Sequence, residues 1–349
     1  MHNKSIKLKV KILLRSIFDK TAYFTGLLYF FEKRMKRGLT ILMYHRILPA
    51  DLCHEYPLES LVVPEEVFRE QMIWLSNKFT VLPLNDALEQ LSTGKSFRKP
   101  LIAITFDDGY YDNFDYASPI LEEFGLRATF FVTSDFVKNG ILLWFDRAAL
   151  LWKKASEIQR LSLLESLPQN LMSSNQNEIQ NIRFWMESLK KLNYKKRLEI
   201  IQKAESLHGT SHDLNQFKPM SVEQVLKLHD KGHEIASHTV SHQIMTQLNT
   251  CDLRIELINS AKQLSFWIGE KINGFCYPNG NYNTLVEKAV LNSDYEYSCT
   301  VEEGINLPGG SPTRLLRLPI TMHRTMKRQN HDLLSFRAEL CRIRSFLRI

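Results

Sequence analysis

Residues 101–106 (Leu-Ile-Ala-Ile-Thr-Phe) form an apolar run that stops at two adjacent carboxylates and a glycine, Asp107-Asp108-Gly109. A strand with no polar alternation is covered on both faces, as in a parallel sheet flanked by helices. The neighbouring segments fit the same architecture. Short apolar runs at 38–48, 79–82, 128–132, 234–237, 274–277, 297–301 and 315–320 read as strands, and 64–75, 85–91, 118–124, 252–268 and 284–291 as helices. This alternation predicts an α/β fold built on a parallel sheet. Residues 141–220 leave the pattern: aromatic at Trp144-Phe145, polar over 169–181, then amphipathic and helical over 184–207. They are expected to form a helical insertion that narrows a cleft.

The polar residues concentrate where such folds carry chemistry, at the C-terminal ends of strands. Neighbouring residues on a strand point to opposite sides, so Asp107 and Asp108 cannot share one task. Far downstream, Ser237-His238-Thr-Val-Ser-His242 supplies two imidazoles at i, i+4, a spacing that on a helix places both on one face. One carboxylate and two histidines make a three-ligand metal site with open positions, and the second carboxylate can act as a base beside it. His233 is expected to belong to the strand and to pack there.

Thr105-Phe-Asp-Asp-Gly109 and Ser237-His-Thr-Val-Ser-His242 resemble the first two signature motifs of the polysaccharide deacetylase family, the NodB-homology or carbohydrate esterase family 4 enzymes. The resemblance covers roughly residues 38 to 325. It implies a distorted (β/α) TIM-like barrel and metal-dependent removal of acetyl groups from carbohydrate. By position it implies Asp107 as catalytic base, and Asp108, His238 and His242 as ligands of a divalent metal, zinc before other transition metals. The family's third motif, Arg-x-Pro-Tyr, is here Cys276-Tyr277-Pro278-Asn279-Gly280 and lacks its arginine. Arg317, or second to it Arg314, is the expected replacement, while Tyr277, Pro278 and Asn279 are expected to meet substrate and oxyanion. The fifth motif has only a loose candidate, His323. Instead, Met43-Tyr44-His45-Arg46 resembles the N-terminal element of the exopolysaccharide-type subgroup, which makes His45 the expected general acid. Tyr44, Tyr110, Tyr111, Trp144 and Phe145 are candidates to stack on sugar faces.

The implied reaction is N-deacetylation of an amino-sugar polysaccharide or lipid-linked glycan. The alternatives are a deformylase or O-acetyl esterase on a lipid-linked sugar, and an inactive glycan-binding relative. Charge bears on location. Residues 1–37 carry ten Lys/Arg against Asp19 and Glu32, and residues 323–349 carry seven against Asp332 and Glu339. The intervening body holds 28 basic and 34 acidic side chains. Basicity confined to the two ends suits an anionic membrane surface better than a nucleic-acid groove, and no nucleic-acid partner is expected. No run approaches the roughly 20 apolar residues of a membrane-crossing helix. Residues 1–37 are therefore expected to lie as a basic amphipathic segment on the inner face of a membrane, and 326–349 to form a basic helix. Five scattered cysteines without a C-x-x-C pair fit a cytoplasmic, reducing compartment.

Overall fold

The computed structural model describes residues 14–15, 17–94, 97–171, 181–209, 217–321, 326–327, 330–331 and 333–346. In chain order its main strands are β1 (Leu39–Tyr44), β2 (Arg46–Leu48), β3 (Val62–Pro64), β4 (Thr80–Val81), β5 (Leu101–Phe106), β6 (Thr129–Val132), β7 (Glu234–Ser237), β8 (Gly274–Cys276), β9 (Tyr297–Cys299) and β10 (Arg317–Pro319). The central sheet runs β10-β1-β5-β6-β7-β8-β9, with β4 pairing the start of β5. Every pairing in it is parallel. The ends nearly close on each other, because Leu315, just ahead of β10, bridges Cys299 of β9 in parallel. The result is a distorted (β/α) barrel, the fold the sequence implied.

Strand alternation divides the apolar residues between two cores. Leu39, Ile41, Leu101, Ala103, Phe131, Ala236, Cys276 and Cys299 point into the barrel and cluster there. Leu42, Ile102, Ile104, Phe106, Phe130 and Ile235 point outward, beneath helices such as Glu65–Lys78 and Thr250–Ile268. Extending the inward column of β5 by its period of two gives Thr105 and then Asp107. The same step carries β1 to His45 and β7 to His238. Arg317 pairs with inward-facing Ile41 across β1 and β10 and so shares its side of the sheet. Four polar side chains from four strands thus reach one mouth of the barrel by pleat geometry alone.

The stretch 141–220 contains the helices Trp144–Lys154, Glu157–Glu165, Ile182–Lys190 and Tyr194–His208. They pack on a separate apolar cluster that includes Trp144, Trp152, Trp185, Leu189 and Ile201. The helical stretch expected over 184–207 is divided in two, because Asn193 caps a fresh start by accepting from the Lys196 N–H. At the other end, residues 17–24 are helical and Leu27–Arg34 forms a second helix. Both dock on the C-terminal helix Leu333–Leu340, which a short hairpin (Met326–Lys327 with Asn330–His331) precedes, so 326–349 is not one helix. No helix among the described residues is long and apolar enough to cross a membrane.

Candidate active site

The two aspartates part company at a backbone kink. Asp107 continues the β5 direction, its N–H donating to Tyr44 O, whereas Asp108 takes φ 79° and Gly109 φ 99°. Aspartate tolerates this left-handed region better than bulkier residues do. The kink turns the Asp108 carboxylate, which alternation would send outward, back into the mouth.

Arg317 grips Asp107 with both arms of its guanidinium, Nη1 to Oδ1 at 2.7 Å and Nη2 to Oδ2 at 2.8 Å. Its Nε donates to the Thr300 carbonyl at 2.8 Å, so the fork is aimed before Asp107 is considered. Both side chains are buried. Burial alone would lift the Asp107 pKa, but the guanidinium outweighs it and holds the carboxyl below its ordinary value. Arg314 lies elsewhere, paired with Glu287 on the surface. Cys276, at the position of the family's missing arginine, sits beside this pair, with Arg317 Nη2 3.0 Å from its Sγ. His45 Nε2 is 3.9 Å from Asp107 Oδ2, and its ring is one-fifth exposed at the cleft. His323 falls outside the described residues.

Asp108 faces the two imidazoles. His238 Nε2 and His242 Nε2 lie 3.4 and 3.3 Å from its Oδ1. The arrangement differs from the expected helix face. Residues 238–242 form a loop after β7, with Thr239 at φ 70° and His242 at φ 54°, and the loop brings the ring centroids to 4.8 Å. Glu256, on the helix Thr250–Ile268, holds that loop. It accepts from the N–H groups of Val240 (2.9 Å) and Ser241 (3.0 Å), the Ser241 hydroxyl (2.6 Å) and the Gln243 amide (2.9 Å). Ser237 pairs with Ser260 at 2.7 Å.

The donor set suits a cation. His238 Nδ1 lies 2.9 Å from the Cys276 carbonyl, which can only accept, so Nδ1 is the protonated nitrogen of the ring and Nε2, the ligand atom of that tautomer, faces Asp108. Burial pushes the His242 pKa down, against the pull of Asp108, which favours its neutral form. Asp108 Oδ1 faces the Nε2 atoms of both rings. Neither of its oxygens has a hydrogen-bond partner among the described residues, and both are buried. An ionised carboxylate and two ring lone pairs converging in a buried spot repel one another unless positive charge lies between them. These three residues fit a divalent ion, their ligand atoms lying within 4.8 Å of one another.

The cleft above has a volume of about 680 Å³ and is lined by both carboxylates, His45, His238 and His242. Trp144 and Phe145 of the insertion form part of its wall, with Phe145 edge-on to His242 at 5.0 Å. Tyr277 and Asn279 also line it, while Pro278 is buried within the turn. Tyr44 and Tyr110 are corrections to the stacking candidates: both are fully buried, bonded to Gln71 and Asp146 respectively. Tyr111 is bonded to Asp115 and is not part of the cleft wall.

A buried network behind His45 went unread in the sequence. Arg46 donates to Asp112 and is stacked over Tyr56, Tyr110 and Phe217 at 4.3–4.7 Å. Asn113 Nδ2 donates to the His45 carbonyl at 2.7 Å. Asp146 of the insertion accepts from both Tyr56 and Tyr110, and burial pushes its pKa up to about 7. Strand and insertion are thereby locked around His45. The one hint was Arg46 itself, since an arginine following a barrel strand inside an apolar stretch needs an acidic partner.

The sequence profile of the polysaccharide deacetylase family matches residues 94–298. This chain belongs to the polysaccharide deacetylase family. The Bacillus subtilis (strain 168) protein YxkH, named as a polysaccharide deacetylase, is 23% identical over 267 residues, 76% of this chain and 65% of YxkH. The chain thus spans just under two thirds of that relative. Among solved structures, the Streptococcus pyogenes deacetylase PplD in complex with acetate superposes with a TM-score of 0.54 at 18% identity, covering 81% of this chain and 92% of PplD. IcaB from Ammonifex degensii gives 0.53 at 16%, covering 82% and 92%. The de-N-acetylase from Aggregatibacter actinomycetemcomitans gives 0.52 at 15%, covering 83% and 97%. At these identities the superpositions speak for the shared fold.

Proposed function

We propose that this deacetylase is a metal-dependent hydrolase that removes N-acetyl groups from an amino-sugar polysaccharide or lipid-linked glycan. The observation that carries the reading is the split of the aspartate pair. Asp107 is clamped by Arg317, and Asp108 is left without hydrogen-bond donors opposite His238 and His242. In this reading Asp108, His238 and His242 hold the cation, with zinc the first candidate for such nitrogen and oxygen ligands. A divalent ion so held supplies Lewis acidity toward an amide carbonyl and lowers the pKa of water.

The chain's own residues do the rest. Asp107, kept ionised by Arg317, accepts a proton from the attacking water. His45, at the cleft mouth beside Asp107, gives a proton to the departing sugar amine, which is a poor leaving group as an anion. In the turn 277–280, the N–H of Tyr277 is engaged by Cys299 O and that of Gly280 by Tyr277 O. Pro278 has no N–H, so Asn279 is the turn's remaining donor for a developing oxyanion. Trp144 and Phe145 offer apolar faces to a sugar ring. The acetate carried by PplD and the de-N-acetylase relative support an acetamide substrate.

The test is acetate release from N-acetylglucosamine oligomers by metal-loaded protein. Asp107→Asn should bind the divalent ion as wild type does and lose turnover by about 10²–10⁴-fold, the share of a general base. Full turnover in that variant, or release of formate or ester-derived acetate alone on a defined substrate panel, refutes this assignment.

A further inference from the structure

The N-terminal helical pair has two unlike faces. Its inner face is fixed to the C-terminal helix. Asp19 is buried and accepts from Ser335 (2.9 Å) and Arg344 (Nε to Oδ1, 3.0 Å), while Glu32 accepts from Arg337 at 2.8 Å. Ala22, Leu28, Phe31 and Met35 are buried in the main core. The pair is therefore an integral part of the fold, and its packing needs are already met.

The outer face is nonetheless apolar. Phe24 is 81% exposed, Tyr29 61%, Leu14 57% and Phe30 56%, with Ile17 and Tyr23 about half exposed. Six large apolar side chains in 17 consecutive residues exceed the scattered singletons of an ordinary soluble surface. Phe24 stands at the end of the first helix, just before the exposed Thr25-Gly26 turn. Exposed Lys20, Lys33, Arg34, Lys36 and Arg37 interleave with this face, and Lys33 lies over the Tyr29 ring at 4.6 Å. Of the exposed charged groups along 17–37, all are basic, because Asp19 and Glu32 are used inward. Long cationic side chains beside aromatic rings match a lipid interface, where the stems and rings lie among acyl chains and the charges reach the phosphates.

We propose that this face seats the protein on an anionic lipid bilayer, with Phe24, Tyr29 and Phe30 entering the interface and Lys20, Lys33, Lys36 and Arg37 meeting lipid phosphates. The charge pattern selects this occupant over a second copy of the chain, since two such faces would bring like charges together. The seat is independent of the hydrolytic assignment and does not use any residue of the cleft.

The experiment uses the full chain and vesicles of phosphatidylcholine with about one third phosphatidylglycerol, compared with pure phosphatidylcholine. Wild type should co-sediment with the anionic vesicles and far less with the neutral ones. Phe24→Ser/Phe30→Ser should weaken binding by about tenfold or more at unchanged melting temperature. Lys33→Glu/Lys36→Glu should abolish the preference for anionic lipid. In wild type, hydrogen exchange over 17–34 should slow on adding anionic vesicles, a readout that needs no variant. Absence of co-sedimentation, or binding unaffected by both variants, overturns the proposal. So does a dimer in the ultracentrifuge that the phenylalanine variant disperses.

Discussion

Replacing Arg317 by Met keeps much of the volume and removes the charge that Asp107 depends on. The Asp107 carboxylate would remain buried and ionisable without the guanidinium that pairs it, and breaking a buried pair from one side costs about 3–5 kcal/mol. Arg317 Nε also serves the Thr300 carbonyl, and orphaning that acceptor adds about 1 kcal/mol. The expected loss of roughly 4–6 kcal/mol is a large share of the about 5–15 kcal/mol that holds a domain together. If the cost comes from the stranded charge, neutralising it must restore stability. Asp107→Asn/Arg317→Met should then be more stable than Arg317→Met alone by about 2 kcal/mol or more. Urea unfolding at pH 7, followed by circular dichroism with chelator present throughout, measures all four corners of the cycle free of metal linkage. An Arg317→Met variant within about 1 kcal/mol of wild type, or a double variant that shows the plain sum of the single losses, refutes the reasoning.

His45→Gln should lower kcat for acetate release by about 10²–10⁴-fold while leaving metal content unchanged, as checked by steady-state kinetics and elemental analysis. Glu256→Ala frees the loop that carries His242 and should weaken metal affinity by about 10–100-fold in a competition titration, with Asp108 itself untouched. His233 is buried with its Nδ1 accepting from the Ala128 N–H, and burial lowers its pKa to about 4 from the ordinary 6.5. The stability this confers is complete above pH 6.5 and is lost as pH falls toward 4, about 2 kcal/mol between pH 7 and 5. His233→Asn, which keeps an acceptor and does not titrate, should flatten that part of the pH–stability curve; parallel curves would exclude His233 as the cause.

The barrel was legible because its strands are apolar on both faces, and Leu101–Phe106 has the same limits in the sequence reading and in the structure. Convergence of Asp107, His45 and His238 was also within reach, since period-two counting along β5, β1 and β7 puts them on the inward side. The turn of Asp108 was not, because nothing local in Asp-Asp-Gly distinguishes a left-handed aspartate from an extended one. The same blindness made 238–242 look helical: an i, i+4 histidine pair has one spacing and two realisations, and Glu256, which decides between them, lies 14 residues further on. Asp112 and Asp146 were hidden for a related reason. Each is satisfied by residues remote in sequence, Arg46 in one case and Tyr56 in the other. Arg317 was preferred to Arg314 by position alone, and the preference acquires a physical basis only in the register that pairs Ile41 with Arg317.

Anomalous diffraction at the zinc edge, on crystals of zinc-loaded protein, tests the central claim most directly. The account predicts the dominant peak between the Asp108 carboxylate and the Nε2 atoms of His238 and His242, with Asp107 outside the ligand sphere and still held by Arg317. A zinc-loaded, active protein with no peak at that position would contradict it.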